Sequence, residues 1–140
     1  MDRLESLEPT FRTKVEQLMA RMKELTALDW VVVQGRRTMA EQNALYAQGR
    51  TTAGKIVTNA RGGDSPHNFG EGADLVAKKV DGKLWWDAEP IVWKTLADEA
   101  RKLGLVAGYY FKNIHDNDHV ESADWRKRRE QWRAGTLQVP

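Results

Sequence analysis

Two histidines and one aspartate stand at positions that would suit a metal site. His67 and Asp74 are separated by seven positions across a glycine-containing turn, and His119 follows much later in the run Asp-Asn-Asp-His. Two imidazoles and one carboxylate would leave one coordination position of a zinc ion open for water, as a hydrolytic metal site requires. The chain has no cysteine, so a metal would have to be held by His, Asp or Glu side chains.

The pair His67 and Asp74 is a weak metal signal by itself, because a histidine beside glycine is more often a surface or hydrogen-bonded residue. Its context strengthens the signal. Asp74 opens the apolar run Leu-Val-Ala, and a carboxylate at the mouth of a buried strand needs a partner. His67 can fold back to supply that partner, since Gly70 and Gly72 permit a tight reversal of the chain between them.

Two acidic residues near His119 could act as a base toward water at such a site. Asp116 lies three residues before the histidine and can reach the same side of a metal. Glu121 lies two residues after it, so strand alternation would place both side chains on one face. The spacing leaves both residues open for this role. The run 116–118 is also typical of a turn, and His115 is interpreted as a solvent-exposed loop histidine.

A cationic pair, Arg36 and Arg37, lies between a predicted strand and a predicted helix. An arginine at such a strand end can grip a carboxylate with two hydrogen bonds or stabilise a developing oxyanion. Adjacent arginines are equally compatible with two solvated surface charges.

The elements that must hold these residues alternate irregularly between helix and strand. Apolar residues at helical spacing predict an amphipathic helix over 9–27, and Trp30–Val33 is typical of a buried strand. Thr38 and Glu41 predict a capping box for a helix that runs to about residue 48. The other predicted elements are a loop over 49–66, a strand over 73–80, a hairpin turn over 80–83 into 84–86, a helix over 89–103 stopped by Gly104, strand pieces over 105–111 and 119–121, and a basic C-terminal helix over 123–134 capped by Ser122. We therefore predict a small α+β domain with a mainly antiparallel sheet flanked by helices.

Length and composition indicate one globular domain over 1–140, with 41% hydrophobic residues. No apolar run approaches the roughly 18–20 residues of a membrane span, and the N-terminus lacks the apolar segment of a signal peptide. The predicted C-terminal helix interleaves two tryptophans with five cations: Arg126, Lys127, Arg128, Arg129 and Arg133. A net charge of only +2 argues against nucleic-acid binding. We interpret this stretch as a solvated helix face that could contact anionic envelope polymers.

Together these residues resemble the VanY-type zinc peptidases, a family that includes D,D-carboxypeptidases, VanX-like dipeptidases and phage endolysins. The family's pattern is Ser-x-His-x-x-Gly-x-Ala-x-Asp, followed later by an acidic residue three positions before His-x-Glu. The matching positions are Ser65, His67, Gly70, Asp74, Asp116, His119 and Glu121. Gly72 stands where the pattern has alanine, which keeps a minimal side chain. Residues 35–51 also look like the segment that precedes the zinc motif in single-domain phage enzymes, and the matching motifs lie within 28–122.

The resemblance implies a role for each matching residue. His67, Asp74 and His119 would bind one catalytic Zn²⁺ at the edge of the sheet, and Asp116 would be the catalytic base. Arg37 would hold the substrate or stabilise its oxyanion. Two further substrate contacts would be Ser65 and Gln42.

The resemblance also implies a function, that of a phage-type endolysin. Such a protein hydrolyses the L-alanyl-D-glutamate bond of bacterial peptidoglycan and lyses the host. We expect a monomer, made in the host cytoplasm without a signal peptide, that acts in the periplasm and cell wall after holin-type release. The alternatives are a D-Ala-D-Ala carboxypeptidase or dipeptidase of the same family, and a non-catalytic module that binds cell wall or nucleic acid. The complete set of ligands and base favours an enzyme.

Overall fold

The structure is a computed structural model that describes residues 3–140. Helix α1 spans Pro9–Thr26 and buries four apolar side chains at intervals of three or four residues: Phe11, Val15, Leu18 and Met22. Proline suits the first turn of a helix, and the Glu8 carboxylate accepts hydrogen bonds from the first free backbone N–H groups. The helix predicted over 9–27 is confirmed to within one residue.

Within residues 3–140, four strands form one antiparallel sheet: β1 (Asp29–Gln34), β2 (Gly72–Lys78), β3 (Leu105–Ala107) and β4 (His119–Ser122). Their spatial order is β1-β2-β4-β3, so that β2 and β4 are the inner strands. The predicted fold class, a small α+β domain with an antiparallel sheet and flanking helices, is confirmed.

The remaining α-helices are α2 (Met39–Ala47), α3 (Pro90–Lys102) and α4 (Trp125–Arg133). The predicted capping box of α2 is present, since Thr38 and Glu41 exchange hydrogen bonds between side chain and backbone. No helix within residues 3–140 combines the length and the apolar character needed to cross a membrane.

The strand register gives the two faces of the sheet different roles. Trp30, Val32 and Leu75 are buried in the core that the sheet forms with α1 and α3. Asp74 pairs with His119 at the point where β4 begins. Because successive side chains of a strand point to opposite faces, this pair lies on the face opposite Leu75. The candidate ligands are therefore on the side of the sheet away from the helical core.

Two predicted strand pieces are shorter in the structure. Residues 84–86 contribute one isolated bridge, between Lys78 and Leu84, instead of a strand. The strand predicted over 105–111 is limited to β3, because a 3-10 helix, Gly108–Tyr110, follows it directly.

The C-terminal helix begins at Trp125, two residues later than predicted, and Asp124 precedes it. Ser122 does not cap this helix, because its backbone is paired with Leu105 in the sheet. The Ser122 hydroxyl instead donates to the Asp124 carboxylate at 2.6 Å.

Candidate metal centre and active site

The three predicted metal ligands come together although they are distant in the chain. His67 lies in a 3-10 helix, Pro66–Phe69, whereas Asp74 lies in β2 and His119 in β4. Asp74 Oδ1 is 3.3 Å from His67 Nε2 and 2.9 Å from His119 Nδ1. The three ligand atoms lie within 4.8 Å of one another, so that one ion could contact all of them. His115 is exposed and lies outside this group, in agreement with its interpretation.

The local sequence explains how His67 is presented. The Ser65 hydroxyl accepts a hydrogen bond from His67 N at 3.2 Å, and Asn68 completes a capping box with Ser65. Gly70 ends the 3-10 helix at φ +69°, a backbone conformation that glycine adopts without strain. A Cβ atom on Gly70 would lie 2.9 Å from the backbone nitrogen of Glu8, too close without a shift of the backbone. Both the backbone and the packing therefore require glycine at this turn.

Each histidine is held through the ring nitrogen that faces away from Asp74. His67 Nδ1 is 2.8 Å from Gly35 O, and His119 Nε2 is 2.8 Å from Glu121 Oε1. When the proton of a neutral imidazole lies on the held nitrogen, the other nitrogen is free to coordinate a metal. Outer acceptors of this kind accompany most metal-binding histidines.

Both carboxylate oxygens of Glu121 are engaged. Oε1 faces His119, and Oε2 accepts a hydrogen bond from Trp125 Nε1 at 3.0 Å. Glu121 is thus placed to orient His119, and the geometry favours Asp116 over Glu121 as the base. Trp125 is not among the predicted site residues, and the turn between β4 and α4 brings its indole to the carboxylate four residues earlier in the chain.

The charges at the centre shift the pKa values of two ligands. Burial alone would raise the pKa of the Asp74 carboxyl, but hydrogen bonds from His119 and His67 outweigh burial and hold this pKa well below its usual range. Burial would likewise lower the pKa of His119, but hydrogen bonds to Asp74 and Glu121 raise it. Asp74 is therefore ionised over the whole physiological pH range, as a cation ligand must be.

The candidate ligands line a cleft of about 440 Å³. Its apolar walls include Leu45, Val57 and Phe111, and its polar groups include Arg37, Ser65 and Asp116. A cleft with apolar walls and a few convergent polar groups is the usual form of a ligand site. The irregular segment predicted over 49–66 supplies part of one wall, which gives this long loop a role in the site.

Arg37 lies at the cleft and is held from behind by Gln42. Arg37 Nη1 donates to Gln42 Oε1, and Gln42 Nε2 donates to Ala60 O, both at 2.8 Å. Burial lowers the pKa of Arg37 from its ordinary value. Gln42 is 0% exposed, and both ends of its amide are occupied. The Gln42 side chain therefore lies behind Arg37, and its contact with substrate stays a prediction.

Asp116 is exposed at the cleft, three residues before His119. Asp118 lies beside it and is half-buried. Burial, the negative charge of Asp74 and a hydrogen bond with Asp116 raise the pKa of Asp118 to about 8. Asp118 and Asp116 therefore form a pair of interacting carboxylates beside Asp74. The run 116–118 predicts only a turn, and the proximity of Asp118 to Asp74 arises from the fold.

The basic helix α4 is partly neutralised by carboxylates of the same chain. Arg128 Nη2 is 3.1 Å from Glu8 Oε1, and Arg133 Nη2 is 3.2 Å from Asp64 Oδ1. Trp125 is 3% exposed, as expected for a tryptophan packed inward. The helix thus combines a solvated face with ion pairs to other segments of the domain.

Comparison with known proteins identifies relatives of this chain. Residues 4–128 match the family described as VanY, D-alanyl-D-alanine carboxypeptidase. The chain is 36% identical over 122 residues to the peptidoglycan L-alanyl-D-glutamate endopeptidase CwlK of Bacillus subtilis (strain 168), which corresponds to 82% of this chain and 72% of CwlK.

Solved structures have the same fold at lower sequence identity. The L-Ala D-Glu endopeptidase ChiX of Serratia marcescens is similar with a TM-score of 0.59 at 20% identity, over 96% of this chain and 87% of ChiX. A variant of the vancomycin-resistance D,D-pentapeptidase VanY, solved in complex with Zn(II), has a TM-score of 0.59 at 13% identity, over 92% of this chain and 79% of that one. The family match and the identity to CwlK confirm the resemblance found in the sequence: the chain belongs to the VanY family.

Proposed function

We propose that this protein is a zinc-dependent peptidase that hydrolyses the L-alanyl-D-glutamate bond of peptidoglycan stem peptides. The observation that carries the proposal is the convergence of His67 Nε2, Asp74 Oδ1 and His119 Nδ1 within 4.8 Å beside a cleft. CwlK, which shares 36% of its residues over the aligned region, and ChiX both bear the name of this activity. Their names support the choice of bond.

The donor set fits a Zn²⁺ ion. Two imidazole nitrogens and one carboxylate oxygen form a known type of catalytic zinc site with one position left for water or substrate. The outer contacts of the histidines, to Gly35 O and Glu121 Oε1, hold both rings in a coordinating orientation. When bound, the ion would act as a Lewis acid and lower the pKa of water toward about 7.

Asp116 supplies the base in this proposal. Its side chain is exposed at the cleft, whereas both oxygens of Glu121 are engaged elsewhere. The Asp116 carboxylate takes a proton from the attacking water and transfers it to the leaving amine of the D-glutamate residue.

Arg37 supplies positive charge on the substrate side of the cleft. Gln42 holds one end of the guanidinium group, and Arg37 lines the cleft beside the candidate metal ligands. A donor fixed in advance toward a developing oxyanion contributes a few kcal/mol to the stabilisation of a transition state. Ser65 lines the same cleft and is proposed as a further substrate contact.

Metal analysis combined with a product assay on purified peptidoglycan tests the proposal. The purified protein should contain about one zinc ion per chain, and digestion should release new amino groups without new reducing ends. Mass spectrometry should identify fragments that begin with D-glutamate. A protein that holds no zinc, and that releases nothing when zinc is added, would be a non-catalytic binding module instead.

A D-Ala-D-Ala carboxypeptidase or dipeptidase is the second candidate, and the family description favours it. Such an enzyme would release D-alanine or a D-alanyl dipeptide from its substrate. The proposed endopeptidase would leave terminal D-alanine attached to the released peptide. The same mass spectra therefore distinguish the two activities.

We also propose the biological setting of a phage-type endolysin, which the resemblance to single-domain phage enzymes supports. In this setting a monomer reaches the wall after holin-type release and lyses the host cell. Permeabilised bacteria should lose turbidity with the wild-type protein and keep it with Asp116→Asn. Arg126 and Lys127 are exposed on α4, and a contact of these two cations with anionic envelope polymers should weaken as salt increases.

A further inference from the structure

We propose that Trp125 is a positioning residue of the metal centre and acts on His119 through Glu121, an inference that rests on the proposed zinc site. Trp125 opens α4, and its indole Nε1 donates to Glu121 Oε2 at 3.0 Å. Glu121 Oε1 lies 2.8 Å from His119 Nε2. The three residues are 3%, 9% and 5% exposed in that order. A buried line of hydrogen bonds thus connects the C-terminal helix to a proposed metal ligand.

Glu121 needs a second contact if it is to orient His119. Its side chain can rotate, so one hydrogen bond to the histidine would not fix the carboxylate. A buried carboxylate also requires compensating hydrogen bonds. The indole N–H can only donate, so it holds Oε2 and leaves Oε1 facing His119. The imidazole is then kept with Nδ1 toward Asp74, at 2.9 Å.

Trp125 is itself fixed by contacts on both of its sides. Its ring stacks on Phe69 with 6.1 Å between centroids and 26° between planes. The guanidinium carbons of Arg126 and Arg129 lie 4.6 Å and 5.2 Å from its ring centre. Phe69 belongs to the 3-10 helix that carries His67. One indole therefore contacts both segments that supply the histidines, which explains why a basic, tryptophan-containing helix accompanies the site.

Trp125→Phe tests the inference, because it keeps an aromatic ring next to Phe69 and removes the N–H donor. The measurement is the Kd for Zn²⁺, obtained by competition with a chelator. We expect the Kd to rise about tenfold or more, as is typical when an outer partner of a metal ligand is lost.

Trp30→Phe is the matched control. Trp30 is 4% exposed in the core on the other face of the sheet, and its Nε1 donates to Thr26 Oγ1 at 3.1 Å. Both substitutions remove one indole hydrogen bond, so both should lower the Tm of the metal-free protein. Only Trp125→Phe should change the Kd for Zn²⁺.

The same substitution in a Glu121→Gln variant distinguishes a positioning role of the Trp125 indole from a packing role. In Glu121→Gln, the indole N–H of Trp125 attracts the amide oxygen, and the amide NH₂ then faces His119 Nε2. This favours the tautomer with its proton on Nδ1, which cannot coordinate. Removal of the indole N–H frees the amide to turn its oxygen toward His119. We therefore expect Trp125→Phe to strengthen zinc binding, or to leave it unchanged, when Glu121→Gln is already present.

The outcomes distinguish the inference from the function on which it rests. A wild-type protein without affinity for zinc would overturn both. A wild-type protein that binds zinc, combined with equal Kd values for Trp125→Phe and Trp30→Phe, would overturn the inference alone. An equal loss of affinity from Trp125→Phe in both backgrounds would assign the indole a packing role and would also overturn it.

Discussion

The Arg37 side chain reaches the cleft, and the buried side-chain amide of Gln42 restrains it. Gln42 accepts from Arg37 Nη1 and donates to Ala60 O, and so connects α2 to the loop that forms one wall of the cleft. A family pattern cannot distinguish a residue that touches the substrate from one that lies directly behind such a residue. Gln42 is buried and lies behind Arg37.

Gln42→Leu should impair catalysis without impairing metal binding. The substitution keeps the volume of the side chain but leaves Arg37 and Ala60 O without their partner, so the free energy of unfolding should fall by about 1–3 kcal/mol. A displaced arginine should lower kcat/KM on stem peptides by about 10–100-fold. Gln48→Leu is the control, because the Gln48 side chain donates to Lys55 O on the surface. Full activity in Gln42→Leu would contradict the positioning of Arg37.

Asp116→Asn should retain zinc and lose turnover. The amide has almost the same shape as the carboxylate but cannot accept the proton, and loss of a general base typically lowers kcat by about 10²–10⁴-fold. Zinc content and kcat are measured on the same preparation. Asn117→Ala, in the same exposed turn, should leave both quantities unchanged. Substantial activity in Asp116→Asn would transfer the role of base to another group.

At the scale of elements, the turn between the 3-10 helix and β2 determines the separation of His67 and Asp74. Gly70 has φ +69°, and a Cβ atom there would lie 2.9 Å from Glu8 N as well as close to Arg36. Glu8 N also donates to Gly70 O at 2.9 Å. The turn is therefore packed directly against the start of α1, and the metal centre depends on this contact.

Gly70→Ala should destabilise the protein and weaken zinc binding. The left-handed conformation costs about 1–2 kcal/mol for a residue with a side chain, and the contact with Glu8 N requires a further shift of the backbone. Gly82→Ala separates these two effects, since Gly82 has φ +86° but nothing within 4 Å of its Cβ position. Unfolding in denaturant and the Kd for Zn²⁺ are compared for both variants. Equal effects in the two variants would show that packing at Gly70 is unimportant.

The buried carboxylate of Glu71, between the 3-10 helix and α4, should make the free energy of unfolding depend on pH. Burial raises the pKa of Glu71, and repulsion by Glu8 acts in the same direction, against a hydrogen bond with Ser122 and the charge of Arg128. Because the folded pKa lies above the unfolded one, the folded state binds more protons between these two values. The stability contributed by Glu71 is therefore present at low pH and is lost as pH rises above about 4.

Glu71→Gln removes this titration. The stability of the variant relative to the wild type should be greater at pH 7 than at pH 4, as measured by denaturant unfolding of the metal-free proteins. A difference that is the same at both pH values would contradict the contribution assigned to Glu71.

At the scale of the whole molecule, metal binding should stabilise the fold. The ligands come from three separate segments, so a zinc ion would bind the folded chain much better than the unfolded one. Free zinc at 100 times its Kd would add about 2.7 kcal/mol to the free energy of unfolding, which corresponds to a Tm increase of several degrees. Calorimetry with zinc and with EDTA measures this shift, and His67→Ala should abolish it. A Tm that does not respond to zinc in the wild type would argue against the site.

Local signals in the sequence were sufficient for much of the fold. Apolar spacing and caps predicted α1 and α2 closely, because these features act within a few residues of the chain. The residue types of His67, Asp74 and His119 suggested their grouping, and the family resemblance assigned each of them a role. The burial of Gln42, the proximity of Asp118 to Asp74 and the stacking of Trp125 on Phe69 could not be predicted, because they depend on segments that meet only in the folded domain.

The pairing of β2 with β4 determines when the candidate metal ligands Asp74 and His119 come together during folding. Asp74 and His119 are 45 residues apart in the chain, and they face each other only after these strands have paired. Contacts of such long range form later than local helices, since a large loop must first be closed. During synthesis, a nascent chain that has not yet released residue 119 from the ribosome contains complete sequences for α1 and α3 but no hydrolytic centre. The proposed metal site can therefore form only after residue 119 has emerged, later than the local helices.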